Sequence, residues 1–308
     1  MKNINKKVCK KTTIGGQALF EGILMKGPEK TSIVVRKPDG SLEAKLTDYK
    51  YLKNKWPIFN YPFFRGMAAL YDALRNGGKA INYSVEVADI EEEKPKEGLM
   101  GKIESAFYEL LSFALIVGIL FAFLILPTLV TNLVRDKISS VFLLNLIEGL
   151  IRVVFFFIYV MAIAQIKDIK RVFMYHGAEH KTIFTYEFGE ELTVENVRNN
   201  PMLHPRCGTS FMFNMVIISA IVLSFFGWPN PILRAVTRIV IVPVLVGITY
   251  ELNKWMGGSD SLLARALSKP GLFIQYIGTV KEPTDDMIEV AIESLKMVIP
   301  ENEEADRW

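Results

Sequence analysis

The sequence has few cysteines and histidines, and it lacks several common functional motifs. Among 308 residues there are two cysteines, Cys9 and Cys207, and three histidines. Two cysteines so far apart build no disulfide framework, so nothing indicates an oxidising compartment. Neither the Gly-Lys-Ser/Thr string of a Walker loop nor the G-x-G-x-x-G string of a dinucleotide-binding fold occurs. These absences argue against a secreted disulfide scaffold and against the usual nucleotide-binding sites.

Long apolar stretches are what the sequence has in abundance. Half of the residues are hydrophobic and the mean hydropathy is +0.24, which is high for a soluble protein. Four stretches suit a hydrocarbon core of about 30 Å, at residues 110–134, 141–166, 211–228 and 232–250. Pro127 is expected to bend the first of them. We therefore predict an α-helical polytopic membrane protein with four transmembrane helices.

The distribution of Lys and Arg predicts the direction of these helices. Two basic residues lie in the link at 135–140 and none in the link at 227–231, whereas segment 167–210 has six. We therefore expect segment 167–210 and both termini to face the cytoplasm. Because Glu21 interrupts the apolar stretch near the N-terminus, we expect no cleaved signal peptide.

Three regions are expected along the chain. Residues 1–105 form a small cytoplasmic α+β region with a hairpin and a glycine-rich loop. Residues 106–250 form the transmembrane domain, which includes the cytoplasmic segment 167–210. Residues 251–308 form a helical cytoplasmic tail.

Local patterns predict the elements of the soluble regions. Residues 31–48 alternate around a Pro-Asp-Gly turn and predict the hairpin. Residues 61–88 have helical spacing, with an expected break at Gly77-Gly78. The last helix begins near Thr284 and presents an apolar stripe that we expect in the core: Ile288, Ala291, Ile292, Leu295 and Val298.

The first 55 residues are strongly basic, with 13 Lys/Arg against 5 Asp/Glu. Such an excess suits anionic lipid headgroups or nucleic acid. Because apolar stretches follow, we interpret it as contact with the lipid bilayer and expect no nucleic-acid partner. Protein partners cannot be inferred.

Charged residues inside the predicted spans need partners, because an unpaired charge in hydrocarbon costs at least about 2.5–3.5 kcal/mol. Glu148 and Arg152 are four residues apart in the second span, and Arg238 reaches a similar depth in the fourth. We predict that Glu148 bridges Arg152 and an arginine of the fourth span. Either a packing lock or a substrate or proton path would use this arrangement.

All three histidines, His176, His180 and His204, fall within 29 residues of the cytoplasmic segment. His176-Gly-Ala-Glu179-His180 is an H-x-x-E-H string in a predicted helix, where the i, i+4 spacing gives two imidazoles one face. Helices use this spacing to bind one metal ion. A short string of this kind also arises by chance. In that interpretation His180 and Lys181 are simply polar residues that lie above the lipid headgroups.

Further residues would complete a metal site. His204 supplies a third imidazole and Cys207 a thiol, as a fourth ligand or a substitute, and zinc is the expected divalent ion. Glu179 would act as general base on water activated by the metal. Glu187, two turns beyond His180, would support the ligands or replace one of them.

A glycine-rich stretch near the N-terminus is a second candidate feature. Gly15, Gly16, Gln17 and Glu21 lie within Gly15-Gly-Gln-Ala-Leu-Phe-Glu-Gly22. Glycines at this density permit close approach of the backbone to a ligand or to another segment. The stretch is therefore either a closely packed loop or part of a site that includes Glu21.

Four motifs together resemble a known family. They are Gly15-Gly16-Gln17-Ala18 with Glu21-Gly22, Tyr175-His-Gly-Ala-Glu-His-Lys181, Leu192-Thr-Val-Glu-Asn-Val-Arg198 and His204-Pro-Arg-Cys-Gly-Thr-Ser210. The chain resembles the YqhQ-like bacterial membrane proteins, domain of unknown function 1385, which are often labelled as a predicted metal-dependent enzyme. The resemblance extends over nearly the whole chain and implies a multi-pass protein of the bacterial cytoplasmic membrane. It implies no substrate.

We therefore expect a metal-dependent hydrolase at the cytoplasmic membrane surface, acting on a lipid-linked or membrane-proximal substrate. Whether the chain is an enzyme stays open at this stage. One alternative is a non-enzymatic assembly or regulatory factor, with a structural metal or none. The other is a small transporter that uses Glu148, Arg152 and Arg238, although the chain has no evident repeat.

Overall fold

The structure is a computed structural model that describes residues 8–49, 52–89, 99–227 and 231–308. Within these residues there are four strands: β1 Gly15–Leu19, β2 Gly22–Lys26, β3 Lys30–Arg36 and β4 Leu42–Asp48. The helices are α1 Leu52–Lys55, α2 Phe64–Val87, α3 Leu99–Leu124, α4 Leu126–Asn132, α5 Val141–Ile163, α6 Lys167–Glu187, α7 Val194–Asn199, α8 Gly208–Ser224, α9 Pro231–Gly258, α10 Leu262–Ile274 and α11 Asp285–Lys296.

The chain divides into two compact units that are each built from separate segments. The first unit consists of Met1–Ile90, Val160–Phe213 and Val246–Trp308. The second consists of Glu91–Tyr159 and Asn214–Leu245. Segment 167–210 thus groups with the N-terminal sheet, whereas the sequence analysis had assigned it to the transmembrane domain.

The first unit contains an antiparallel meander in the order β1-β2-β3-β4. The hairpin predicted at 31–48 is the β3–β4 pair, in which Lys30 lies opposite Asp48. The glycine-rich stretch was expected as a loop but forms β1 and β2, with Gly15 opposite Lys26. At Gly16 and Gly22 other atoms approach the backbone closely, which explains glycine there, whereas a Cβ on Gly15 would meet nothing within 4 Å.

Helices α6 and α11 cover one face of this sheet and form the main apolar core with it. Ile23 and Val34 of the strands, Tyr175 of α6 and Ile288 of α11 are all fully buried in this core. The apolar stripe predicted for the last helix is confirmed, since each of its five residues is buried. This packing holds α6, the helix of the H-x-x-E-H string, rigidly against the sheet.

Helix α2 runs unbroken for 24 residues, so the predicted break at Gly77-Gly78 is wrong. A Cβ on Gly77 would lie 2.4 Å from Oε1 of Gln17, whereas a Cβ on Gly78 would meet nothing within 4 Å. The glycine at 77 therefore serves close packing of α2 against β1, which outweighs its low helix propensity of about 1 kcal/mol relative to alanine.

Within the part of the chain that the structure describes, three helical stretches are long and apolar enough to cross a membrane: Phe113–Asn132, Val141–Ile163 and Val236–Gly258. The first contains an interruption at Ile125 between α3 and α4, two residues before Pro127. Helix α8, in the third predicted span, is apolar but has only 17 residues. The mostly helical fold with an N-terminal antiparallel sheet agrees with the predicted class.

Candidate metal centre

Helix α6 presents His176 and His180 on one face, with their ring centroids 4.3 Å apart. The i, i+4 spacing produces this proximity. Asp168 in the first turn is favoured by the helix dipole, and the buried residues of the second half fix the rotation of the helix against the sheet. His180 is 2% exposed, so it belongs to the interior rather than to a polar surface.

Hydrogen bonds from the chain determine which ring nitrogen of each histidine faces the centre. Nδ1 of His176 lies 2.9 Å from the carbonyl oxygen of Thr279, and Nδ1 of His180 lies 2.7 Å from that of Met202. A carbonyl oxygen only accepts, so each Nδ1 carries the proton in these bonds. In the neutral rings the lone pairs are then on Nε2, the usual arrangement of metal-binding histidines.

Cys207 joins the two histidines from the segment that precedes α8. Its Sγ is 3.2 Å from Nε2 of His176, and the three ligand atoms lie within 4.8 Å of one another. The backbone N–H of Thr209 donates to the same Sγ at 3.4 Å. The residue immediately precedes the first turn of α8, where the helix dipole favours a thiolate.

The electrostatics of this group favour separated charges in the absence of a metal. Burial opposes ionisation of Cys207, but the charges of His176 and His180 lower its pKa well below the ordinary value. Burial would also lower the pKa of His176, yet the Cys207 thiolate, together with Glu179, raises that pKa to about 9. In the metal-free chain the charged form of each group thus favours the charged form of the other.

Glu179 links this group to the glycine-rich strand. Its Oε1 accepts a hydrogen bond from the backbone N–H of Gly16 at 2.9 Å, and its Oε2 lies 3.9 Å from Nε2 of His176. A Cβ on Gly16 would lie 2.7 Å from the carbonyl oxygen of Leu24 and 3.0 Å from Cγ of Glu179. The glycine allows β1 to approach α6 closely enough to orient the Glu179 carboxylate.

His204 lies beside the three-residue group but not within it. Its ring centroid is 5.5 Å from that of His180, and its Nε2 is 3.5 Å from Oε2 of Glu187. Glu187 also accepts from the backbone N–H of Thr12 at 2.8 Å and pairs with the guanidinium of Arg206. His204 and Glu187 thus form a second buried polar cluster, which lies next to the group of His176, His180 and Cys207.

The pKa values of this second cluster follow from its burial and its charges. Burial is the main cause that lowers the pKa of His204 to about 4, and the nearby Arg206 contributes to the shift. Burial opposes ionisation of Glu187, but its hydrogen bond with His204 and the charge of Arg206 outweigh it and lower its pKa. At neutral pH His204 is therefore neutral and Glu187 is ionised.

Glu21, the carboxylate of the glycine-rich stretch, has a different role from Glu179. It stands at the β1–β2 turn with φ of 50°. Its two oxygens accept from the Arg171 guanidinium at 2.5 and 2.6 Å, and the Tyr175 hydroxyl donates to it at 3.2 Å. These contacts attach the turn to α6, one helical turn before the H-x-x-E-H string.

A cavity of about 570 Å³ opens onto the candidate ligands. Its described lining combines the site residues and the Gly15–Gln17 backbone with charged and amide side chains that sequence reasoning missed: Lys26, Asp72, Asn76, Arg206, Lys254 and Arg307. These residues come from distant segments, and of the six only Arg206 lies in a motif singled out in the sequence, between His204 and Cys207. A second cavity of about 230 Å³ shares Arg206, Cys207 and Lys254 with the first, and its other lining residues include Leu70 and Phe211.

The charged residues of the second unit also come together. The Thr128 hydroxyl and the Arg152 guanidinium donate to Glu148 at 2.8 and 2.6 Å. Arg234 and Arg238, both on α9, pair with the same carboxylate. Both arginines of the fourth predicted span thus take part in the pairing, which joins α5 to α9.

Comparison with known proteins identifies relatives without an assigned activity. Residues 61–301 match the family described as "Protein of unknown function (DUF1385)". The chain is 33% identical over 295 residues to "Uncharacterized protein YqhQ" of Bacillus subtilis (strain 168), with 92% of each chain covered. No solved structure matches the chain significantly.

Proposed function

We propose that this chain, which belongs to the DUF1385 family, is a membrane-embedded, metal-dependent hydrolase with its site at the cytoplasmic surface. The observation that supports this most strongly is the convergence of His176, His180 and Cys207, with Glu179, in the lining of a cavity of about 570 Å³. The site consists of chemically versatile groups held at fixed positions and open to a ligand.

The three ligand atoms fit a divalent transition metal. Two imidazole nitrogens and one thiolate are the ligand types that zinc prefers, and three protein ligands leave a fourth position for catalysis. The carbonyl partners of both Nδ1 atoms orient the rings as ligands. When bound, such a cation supplies Lewis acidity, polarising an acyl or phosphoryl oxygen of the substrate and favouring ionisation of water.

Glu179 is the proposed general base. Because Oε1 accepts the Gly16 N–H bond, the carboxylate is oriented with Oε2 towards His176. From there Oε2 accepts a proton from an attacking water in the cavity and later returns it to the leaving group. Its role is thus distinct from that of Glu187, which pairs with Arg206.

The two adjoining cavities support an amphiphilic substrate. Basic side chains at 26, 206 and 254 line the larger cavity and suit an anionic group. Leu70 and Phe211 line the smaller cavity, which suits a hydrocarbon segment. A lipid-linked molecule would therefore place its polar, hydrolysable part near Glu179.

A four-span topology is part of the proposal. Helix α8 rises about 26 Å over its 17 residues at 1.5 Å per residue, close to the thickness of a hydrocarbon core. With the three longer apolar stretches it gives an even number of crossings. Both termini and segment 167–210 then lie on the cytoplasmic side of the bacterial membrane, as the basic residues favour.

One observation favours a second candidate, a cysteine hydrolase that needs no metal. The 3.2 Å contact between Sγ of Cys207 and Nε2 of His176 is the geometry of a nucleophile and its base. In that case the thiolate attacks an acyl carbon and releases the leaving group, and water hydrolyses the resulting thioester.

The proposal is tested by incubating the detergent-purified full chain with total bacterial lipid extract and following the products by mass spectrometry. We expect the zinc-loaded wild type to release head groups or free acids, and chelation to stop the release. Glu179→Gln should retain metal but lower turnover by a factor of about 100 or more. A Glu179→Gln variant with wild-type turnover would contradict the assignment of the base, and turnover that persists after chelation would favour the cysteine mechanism. A wild type that binds metal and cleaves nothing would point to the non-enzymatic alternative.

A further inference from the structure

We propose that the second unit contains an anion-binding site, formed by Arg234 and Arg238 at a cavity in the apolar helices, that takes a phosphate group. The site is separate from the candidate metal centre and does not depend on the proposed hydrolysis. The source of the phosphate is either a phospholipid headgroup or a free phosphate ion.

The charge of the cluster is the first argument. Among the described side chains of this cluster, one carboxylate, Glu148, faces the three guanidinium groups of Arg152, Arg234 and Arg238, so these four side chains have a summed formal charge of +2. Arginine stays protonated in proteins, so the excess cannot be removed by loss of a proton. The side chains of Glu148, Arg234 and Arg238 are at least nine-tenths buried, and that of Arg152 is 11% exposed. Buried charge of one sign is costly unless an opposite charge balances it.

The hydrogen bonds of Glu148 are the second argument. Its Oε1 accepts from Thr128, Arg152 and Arg238, and its Oε2 accepts from Arg234. A carboxylate has about four lone-pair sites, so these bonds use its capacity. Nε of Arg152 is buried without a hydrogen-bond acceptor among the described residues. The Glu148 carboxylate therefore has no lone pair left for this nitrogen.

A cavity beside the cluster provides the space. It has a volume of about 470 Å³, and Arg234 and Arg238 line it together with Asn145 and Thr237. Leu223, Phe226 and Leu233 complete an apolar part of the lining. The combination suits a phosphate with attached hydrocarbon, because guanidinium groups bind phosphate oxygens in a fork geometry and the apolar side chains accommodate a chain.

The test is the thermal unfolding of the delipidated full chain in a neutral detergent. One arm compares phosphatidylglycerol with diacylglycerol, which lacks the phosphate, at equal mole fraction, and the other compares inorganic phosphate with chloride at equal ionic strength. We expect saturating phosphatidylglycerol or phosphate to raise the unfolding midpoint by about 5 °C or more relative to its control. If only the phospholipid raises the midpoint, the source is the lipid headgroup. If both the phospholipid and inorganic phosphate raise it, the site recognises the phosphate group itself. No rise in either arm overturns the proposal.

Two variants locate the effect. Thr237→Asp places a carboxylate on the cavity wall, three residues from Arg234, and should stabilise the ligand-free chain while reducing the anion response at least several-fold. Lys137→Gln removes an exposed cation of the same unit outside the described cavity lining and should retain the wild-type response. A Thr237→Asp chain with the full response, or a Lys137→Gln chain that loses it, would assign the anion to the surface instead and overturn the proposal.

Discussion

Glu179 and Glu187 are two buried glutamates of the same helix, and their substitution by glutamine should have different effects on stability. Glu187 is 1% exposed, and it accepts from Thr12 and Arg206 and lies beside His204. Glu187→Gln removes the negative charge while it preserves the shape of the side chain. The new amide N–H₂ then opposes a guanidinium that can only donate.

The expected cost is large because Arg206 is buried as well, with 7% of its side chain exposed. Removal of one partner of a buried ion pair typically costs about 3–5 kcal/mol, since the remaining charge is left uncompensated. At about 2–4 °C per kcal/mol, the unfolding midpoint should fall by roughly 6–20 °C. Glu179→Gln is the matched control, because an amide oxygen still accepts the Gly16 N–H bond and no buried cation is left unpaired.

The assay is thermal unfolding of the detergent-solubilised full chain after chelation, so that metal binding does not contribute. We expect the Glu179→Gln midpoint within about 3 °C of wild type and the Glu187→Gln midpoint far below both. Equal midpoints for the two variants would refute the assignment of Glu187 to a structural pair with Arg206.

Three further predictions follow from the geometry of the first unit. Gly16→Ala should lower the unfolding midpoint by at least several degrees, because the added Cβ collides with neighbouring atoms. Gly15→Ala should not lower it, because a Cβ there meets nothing within 4 Å. Equal effects of the two substitutions in differential scanning calorimetry would contradict the close approach of β1 to α6. In a Cys9→Ser background, iodoacetamide should alkylate Cys207 at neutral pH faster after chelation than with metal bound. The reason is that the pKa of Cys207 is lowered, so the thiol is reactive, and a bound metal would cover the thiolate. Equal alkylation rates with and without metal, followed by mass spectrometry, would count against Cys207 as a ligand. The pKa of His204 is about 4 in the folded chain and about 6.5 in the unfolded chain, so the unfolded chain binds the proton first as the pH falls. Protonation of His204 should therefore lower the free energy of unfolding of the metal-free chain by about 3 kcal/mol between pH 6.5 and pH 4. Denaturant unfolding of His204→Gln should therefore show a flatter pH dependence over that window, and an unchanged slope would contradict the burial of a neutral imidazole.

Periodicity could predict the elements whose residues are close in sequence. The hairpin at 31–48, the apolar stripe of α11 and the shared face of His176 and His180 each depend on local spacing, which determines a face directly. The role of the glycines could not be predicted in this way. Gly16 and Gly77 are required by contacts with Glu179 and Gln17, which are distant in sequence from them.

The composition of the candidate site could be predicted only in part. Cys207 and the α6 histidines are ligand-type residues and therefore stand out in the sequence. The separation of His204 towards Glu187 and Arg206 depends on side-chain packing, which spacing does not determine. Asp72 and Lys254 enter the cavity from α2 and α9, and nothing in their local sequence distinguishes them from ordinary surface charges.

The central claim is that the two α6 histidines and Cys207 bind one metal ion. Elemental analysis of the detergent-purified full chain tests it most directly, with wild type compared with the His176→Ala/His180→Ala double variant and with His204→Ala. We predict about one equivalent of zinc or another divalent transition metal in the wild type and in His204→Ala, and a loss of at least tenfold in the double variant. Negligible zinc, manganese and iron in the wild type and the double variant alike would contradict the account.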